Sequence, residues 1–272
     1  MNVQMNVQMS VQTNVQMSVQ MSVLIIGGTS GIGLGLARHY WEQGARVAIC
    51  GRHPDKLDGV QFARDSRVSV HACDIADRAA VARVVAEVTD AAGGIDLLIV
   101  TAGQYTDAAA IARDRTSTLP VLRVNVCGLD NAFSVAADAM MARGRCEVGR
   151  QGHLVAVASI AGLQDDYPNG SLYSASKRAA IAICDAYRKA LAPFGIVVTV
   201  IVPGYVDTAR LRELNHGDAS RKPFLMSEAD AVQRIAAAIA RRDHRCVFPW
   251  QMHALVKLFN LMPGFLKQAR KK

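Results

Sequence analysis

Several features are missing from this 272-residue chain, and each absence removes a class of function. No apolar run approaches the ~20 residues that a membrane-crossing helix needs. The N-terminus has neither the basic start nor the apolar core of a secretory leader. Six cysteines, Cys50, Cys73, Cys127, Cys146, Cys184 and Cys246, are scattered without a Cys-x-x-Cys pair, so neither a zinc site nor a disulfide framework is indicated. Reduced core thiols, no metal and a cytoplasmic location are the expectation. Aromatic residues make up only 6 % of the chain and no basic stripe is interleaved with them, so the net charge of +8 does not point to nucleic acid. Much of that charge gathers near the C-terminus, at Arg241, Arg242, Arg245, Lys267, Arg270, Lys271 and Lys272.

Charge is absent altogether from the first 24 residues, which run MNVQ, MNVQ, MSVQ, TNVQ, MSVQ, MSVL. Alternation of apolar and polar residues has the period of a strand, whereas a repeat of four drifts around a helix of ~3.6 residues per turn. An extended arm is one reading. A low-complexity, disordered leader over residues 1–21 is the favoured one, because it is uncharged and rich in Asn and Gln. A chain beginning at Met21 is therefore expected to keep full activity and cofactor affinity; loss of either would give the repeat a function.

From residue 22 strand-like and helix-like stretches alternate. Strand candidates are 23–26, 46–50, 68–71, 97–100, 153–158, 196–202 and 246–248; helical patterns cover 32–43, 78–91, 119–143, 172–193 and 228–241. This order reads as βαβ units winding a parallel sheet, an α/β, Rossmann-type doubly wound fold of about seven strands with helices on both faces. One domain over residues 22–250 is expected, followed by a basic amphipathic extension over 251–272. Ligands of such sheets bind beyond the carboxyl ends of the strands, where the motifs of this chain fall.

The run Gly27-Gly28-Thr29-Ser30-Gly31-Ile32-Gly33 follows the first strand and opens a helix. Gly27 suits the tight turn, Gly31 the close approach of a pyrophosphate to the backbone, and Gly33 the packing of helix on strand. After the second strand, Gly51 stands where cofactors with a free ribose diol meet a carboxylate, and Arg52 supplies the fork that suits a 2′-phosphate. NADP(H) is thus favoured over NAD(H). Asp74, after the third strand, suits either the adenine amino group or a helix N-cap.

Tyr173 and Lys177 lie one helical turn apart. Reduction of a carbonyl requires a proton donor beside the oxygen, and a phenol whose pKa is ordinarily ~10 serves better with a cation nearby. Ser159, fourteen residues before Tyr173 and at a strand end, is placed to hydrogen-bond a developing oxyanion. Asn125 falls inside a helical pattern where asparagine is a poor choice. Lone His71 and His153 lie on apolar strands, and no role is assigned to them.

In order and spacing the chain resembles the short-chain dehydrogenase/reductase family over residues 22–208. The resemblance rests on I-G-G-T-S-G-I-G (26–33), C-D-I (73–75), V-T-A-G (100–103), R-V-N-V (123–126), the serine of A-S-I-A-G (158–162), Y-S-A-S-K (173–177) and P-G-Y-V-D-T (203–208). It implies catalysis by Ser159, Tyr173 and Lys177, with Asn125 interrupting its helix to hold a proton-relay water. It also implies cofactor contacts from Thr29, Ser30, Ile32, Ala102, Gly103, Tyr173 and Lys177, and from Pro203, Gly204, Val206 and Thr208 around the nicotinamide. Two departures stand out: Ile26 replaces the family's threonine, and Val100-Thr101 its Asn-Asn pair, so retuned hydrogen bonds are expected there.

The leading expectation is an NADP(H)-dependent reductase or dehydrogenase acting on a small-molecule carbonyl or secondary alcohol. A non-catalytic, cofactor-binding regulator or scaffold is the alternative. A sugar-nucleotide epimerase is disfavoured because little chain follows Thr208. Specificity is expected in residues 164–172, with Asp165, Asp166, Tyr167 and Asn169, and in 209–226, with Arg210, Arg212, Glu213 and His216. By analogy a homodimer or homotetramer forms through the helices at 119–143 and 172–193. The apolar series Leu255, Leu258, Phe259 and Leu261 ahead of the basic end suggests a pocket cover or subunit contact, or peripheral contact with an anionic membrane.

Overall fold

A computed structural model describes residues 20–106, 108–144, 151–164 and 171–262. The repeat up to residue 19, Cys146, the segment 165–170 with Asp165, Asp166, Tyr167 and Asn169, and residues 263–272 lie outside the described residues. The elements run β1 (Ser22–Ile26), α1 (Gly31–Glu42), β2 (Arg46–Gly51), β3 (Val68–Ala72), α2 (Arg78–Ala92), β4 (Leu97–Val100), α3 (Ala108–Arg113), α4 (Thr118–Leu122), α5 (Leu129–Ala142), β5 (His153–Val157), α6 (Leu172–Leu191), β6 (Val197–Pro203), α7 (Ala209–Glu213), α8 (Glu228–Ala240), β7 (Arg245–Phe248) and α9 (Trp250–Leu261).

All seven strands form one parallel sheet in the order β3-β2-β1-β4-β5-β6-β7. Every residue of β1 and β4 is buried, which is why these strands read as unbroken apolar runs rather than as alternation. Alternate residues feed two cores. Leu24, Ile26, Leu98 and Val100 pack with α2, α5 and α6, and Val23, Ile25, Leu97 and Ile99 pack with α1 and α8. The chain winds outward from β1 through β2 to β3, then returns to place β4 on the other side of β1. The carboxyl ends of β1 and β4 therefore frame the crevice where such sheets take ligands.

Strand boundaries match the periodicity to within a residue or two; the helices differ more. The pattern at 119–143 is divided: α4 gives way at Arg123–Gly128 to a π-helical turn containing Asn125, and α5 resumes at Leu129. The pattern at 172–193 ends as α-helix at Leu191, because Pro193 enters a 3-10 turn closed by Gly195 in the left-handed conformation. Helix α9 is anchored to the main body through Met252 and Val256, which join the core beneath α5 and α6. One side of α9 thus packs on the domain.

Candidate active site

Local geometry builds the floor of the site. Gly27 turns with φ +95°, and a Cβ there would lie 2.4 Å from the Ala102 nitrogen, so the turn after β1 fits against the chain after β4 only as glycine. A Cβ on Gly33 would lie 2.3 Å from the Gly27 carbonyl oxygen, so helix α1 is pressed onto that turn. Ser30 precedes α1 without a side-chain cap, and the first turn of the helix opens on a cleft of about 590 Å³. Uncapped N–H groups at a helix start are donors suited to a pyrophosphate. The cleft is lined by Gly27, Thr29, Ser30, Gly31, Ile32 and Gly33, by Arg52 and Asp74, and by Ala102, Gly103 and Thr208. This chemistry and shape fit a dinucleotide.

Several expected residues take more defined places. The departure at Thr101 works as a replacement brace: its hydroxyl donates to the Gly27 carbonyl at 3.0 Å, while its N–H and that of Ala102 donate to the Ile26 carbonyl. The open choice for Asp74 narrows, since the N-cap of α2 is Asp77, which accepts from Ala79 and Ala80, whereas Asp74 accepts from the Ala76 N–H and lines the cleft. At Gly51 a side chain would collide with Thr29, whose methyl lies 2.8 Å from the Cβ position. An acidic residue therefore does not fit there without displacing Thr29. Pro203 ends β6, the Gly204 N–H donates to the Phe248 carbonyl at 2.7 Å and Val206 is bridged to Met226; of the expected residues in this segment, Thr208 is the one that lines the cleft. Thr208 caps α7 through its hydroxyl, which accepts from the Leu211 N–H.

Ser159, Tyr173 and Lys177 meet between the end of β5 and the start of α6. Ser159 accepts from the Ala161 N–H at 3.3 Å, and its hydroxyl faces the Tyr173 phenol. Burial pushes the Tyr173 phenol above its ordinary pKa, and the bond to Ser159 pulls it back. The Lys177 ammonium lies 5.8 Å from the centre of the Tyr173 ring and donates to the Val157 carbonyl at 3.0 Å. Lys177 is buried, at 6 % exposure, and desolvation brings its pKa down to about 8. Its nitrogen lies 3.3 Å from the Cβ position of Gly103, and the Asn125 amide oxygen lies 3.5 Å from the same point, so the two converge beside the cleft.

Sequence reading missed what Asn125 holds. Its amide oxygen accepts from the Gln104 N–H at 2.8 Å, and its nitrogen donates to the Gln104 carbonyl and to the Ser176 hydroxyl, each at 2.9 Å. Both amide hydrogens are thereby used, and the main chain after β4 is clamped to α6. Gln104 itself crosses the cleft. With its side-chain oxygen turned toward Arg52, it accepts from that guanidinium at 3.2 and 3.3 Å. Tyr105 was missed as well; its ring packs edge-on against Tyr173 with centroids 5.0 Å apart. Gln104 and Tyr105 carry no spacing signal, because their roles arise only when β4 and α6 meet. His153 bonds Thr199 at 2.8 Å and His71 bonds Glu87 and Ser69, which gives both rings structural partners. Among the described residues no cluster of His, Cys, Asp or Glu could hold a metal, and no helix is long and apolar enough to cross a membrane.

Comparison with known proteins gives the same answer from an independent direction. The profile of the short chain dehydrogenases matches residues 21–219. An uncharacterized oxidoreductase of Mycobacterium tuberculosis is 31 % identical over 247 residues, covering 89 % of this chain and 93 % of its own length. The dehydrogenase/reductase SDR family member 7B of Bos taurus is 31 % identical over 262 residues, covering 89 % and 78 %. A short chain dehydrogenase of Burkholderia cenocepacia, solved in complex with NADP, superposes with a TM-score of 0.75 at 26 % identity, covering 93 % and 98 %. Sheet order, glycine turn and family profile agree, and the chain belongs to the short-chain dehydrogenase/reductase family of oxidoreductases.

Proposed function

We propose that this oxidoreductase interconverts a carbonyl compound and its secondary alcohol with NADP(H), reduction being the favoured direction. The observation that carries this reading is the convergence of Ser159, Tyr173 and Lys177 beside the cleft that the glycine turn floors. Bound NADPH supplies the hydride, and NADP⁺ accepts one in the reverse direction. Tyr173 gives a proton to the carbonyl oxygen, and Ser159 hydrogen-bonds that oxygen as charge builds on it. Lys177 holds the nicotinamide ribose and, while protonated, favours the phenolate that remains. Asn125 keeps the wall beside Gly103 in place, and one water between its amide oxygen and Lys177 returns the proton from solvent. Tyr105 narrows the entrance beside Tyr173. Pro203, Gly204, Val206 and Thr208 close the nicotinamide end. The enzyme forms a homodimer or homotetramer through α5 and α6.

Preference for NADP(H) is supported by Arg52 at the rim of the cleft and by the lack of space for an acid at Gly51. Arg52→Ala is expected to raise KM for NADPH about 10–100-fold, the worth of a lost charge-assisted phosphate contact, while leaving KM for NADH nearly unchanged. Gln104→Ala, which frees the guanidinium from its brace, is expected to move the same ratio in the same direction by less. Equal changes for both cofactors would overturn the assignment. The first test of the activity is NADPH oxidation across a panel of ketones and aldehydes. Binding of NADPH without turnover on any of them would favour a regulator built on the same fold.

A further inference from the structure

We infer that the outer face of α9 is a docking surface for an anionic lipid bilayer. The helix divides its apolar side chains between two sides. Met252 and Val256 turn into the core, at 8 and 9 % exposure, while Trp250, Leu255, Leu258 and Leu261 stand in solvent at 73, 54, 62 and 81 %. With ~100° between successive residues, Trp250, Leu258 and Leu261 fall on one stripe with Leu255 at its margin, along a helix of roughly 18 Å. Four large apolar side chains grouped in this way are a surface that covers something rather than scattered exposure. Trp and Leu on the outer side of an otherwise anchored helix are the residues that enter the headgroup boundary.

Charge identifies the occupant. From Arg245 to Lys272 the sequence holds no Asp or Glu; Arg245 pairs with Asp185 at 2.9 Å, and the remaining basic residues are Lys257, Lys267, Arg270, Lys271 and Lys272. Lys257 is exposed on α9 itself. Lys267 follows Met262 by five residues in the sequence, and Arg270, Lys271 and Lys272 come within the next five. An anionic bilayer satisfies both features at once, because it takes up apolar side chains and attracts each Lys or Arg near its surface. A second copy seated symmetrically on the same face would bring two basic ends together, which opposes that pairing.

Position gives the docking a consequence. Asn260 donates to the Leu163 carbonyl at 2.8 Å, on the turn that follows Ser159, and Met252 packs on Gly204 at the end of β6. The helix is thus fastened to both sides of the catalytic end, and a bilayer on its outer face lies beside the substrate entrance.

The test is co-sedimentation of the full chain with vesicles of phosphatidylserine and phosphatidylcholine, with phosphatidylcholine alone as control. Binding is expected to the anionic vesicles only and to weaken with added salt. L258D/L261D and a chain ending at Met262 are each expected to bind at least about tenfold more weakly, because they remove the apolar and the charged contribution separately. In a W41F background, Trp250 emission should shift to the blue on binding. Absence of binding, or binding that neither variant weakens, overturns the proposal. So does a fall in oligomeric state for L258D/L261D without vesicles, which would assign the face to a second copy. Circular dichroism and NADPH affinity of both variants should match the parent, which separates lost docking from lost folding.

Discussion

Replacing Tyr173 with phenylalanine is expected to lower kcat for carbonyl reduction by about 10²–10⁴-fold, the usual worth of a positioned general acid, with NADPH affinity almost unchanged. The substitution removes one oxygen and keeps the ring, so the edge-on packing against Tyr105 survives. Only the hydroxyl that faces Ser159, and its proton, are lost. Single-turnover measurement with saturating NADPH and a responsive ketone isolates that step. Turnover equal to the parent's would refute Tyr173 as the acid. A large loss of NADPH binding would instead make its hydroxyl a cofactor ligand.

Lys177→Met is expected to abolish most activity and, in addition, to change how stability depends on pH. The folded protein holds the Lys177 ammonium out of water, which brings its pKa from 10.5 to about 8. Below pH 8 the side chain is protonated both folded and unfolded, and the whole cost of burying the charge is present. Between about pH 8 and 10.5 the unfolded chain holds one more proton than the folded one at this site, so stability contributed by the site rises with pH. Above that window both forms are neutral and the cost is gone. Relative to Lys177→Met, the parent should therefore gain up to about 3 kcal/mol across the window, and the difference between the two cancels other titrations. The lost bond to the Val157 carbonyl adds an offset with no pH dependence. Urea unfolding of both proteins at pH 7, 9 and 10.5 gives the comparison. Parallel stability profiles would show that Lys177 is not a buried ammonium.

The chain's own patterns account for the sheet and for the approximate place of the site. Unbroken apolar runs at β1 and β4 can only be strands buried on both faces, and helical periods between them leave a parallel sheet as the compact solution. Gly27, Gly33, Ser159, Tyr173 and Lys177 were legible because each answers a local demand: a turn, a close packing, a strand end, or one helical turn. Asn125 was legible as an anomaly in a helix, and the π turn is the physical form of that anomaly.

The tertiary structure decided what each of those residues touches. Thr101 bracing the glycine turn, Gln104 reaching Arg52, Asn125 clamping Gln104 to Ser176, and Tyr105 against Tyr173 all join segments far apart in the chain. No local period encodes such pairs, since they exist only once β1, β4 and α6 are packed. The same holds for α9. Its sequence shows an apolar series, but only packing separates Met252 and Val256, which enter the core, from Trp250, Leu255, Leu258 and Leu261, which do not. By itself the sequence determined the sheet and the glycine turn and singled out Ser159, Tyr173 and Lys177 as the candidates for handling a proton, because these are local requirements of backbone and side-chain chemistry. Tertiary structure alone decided the desolvation of Lys177 and the face of α9 left to solvent, because burial is a property of what surrounds a residue.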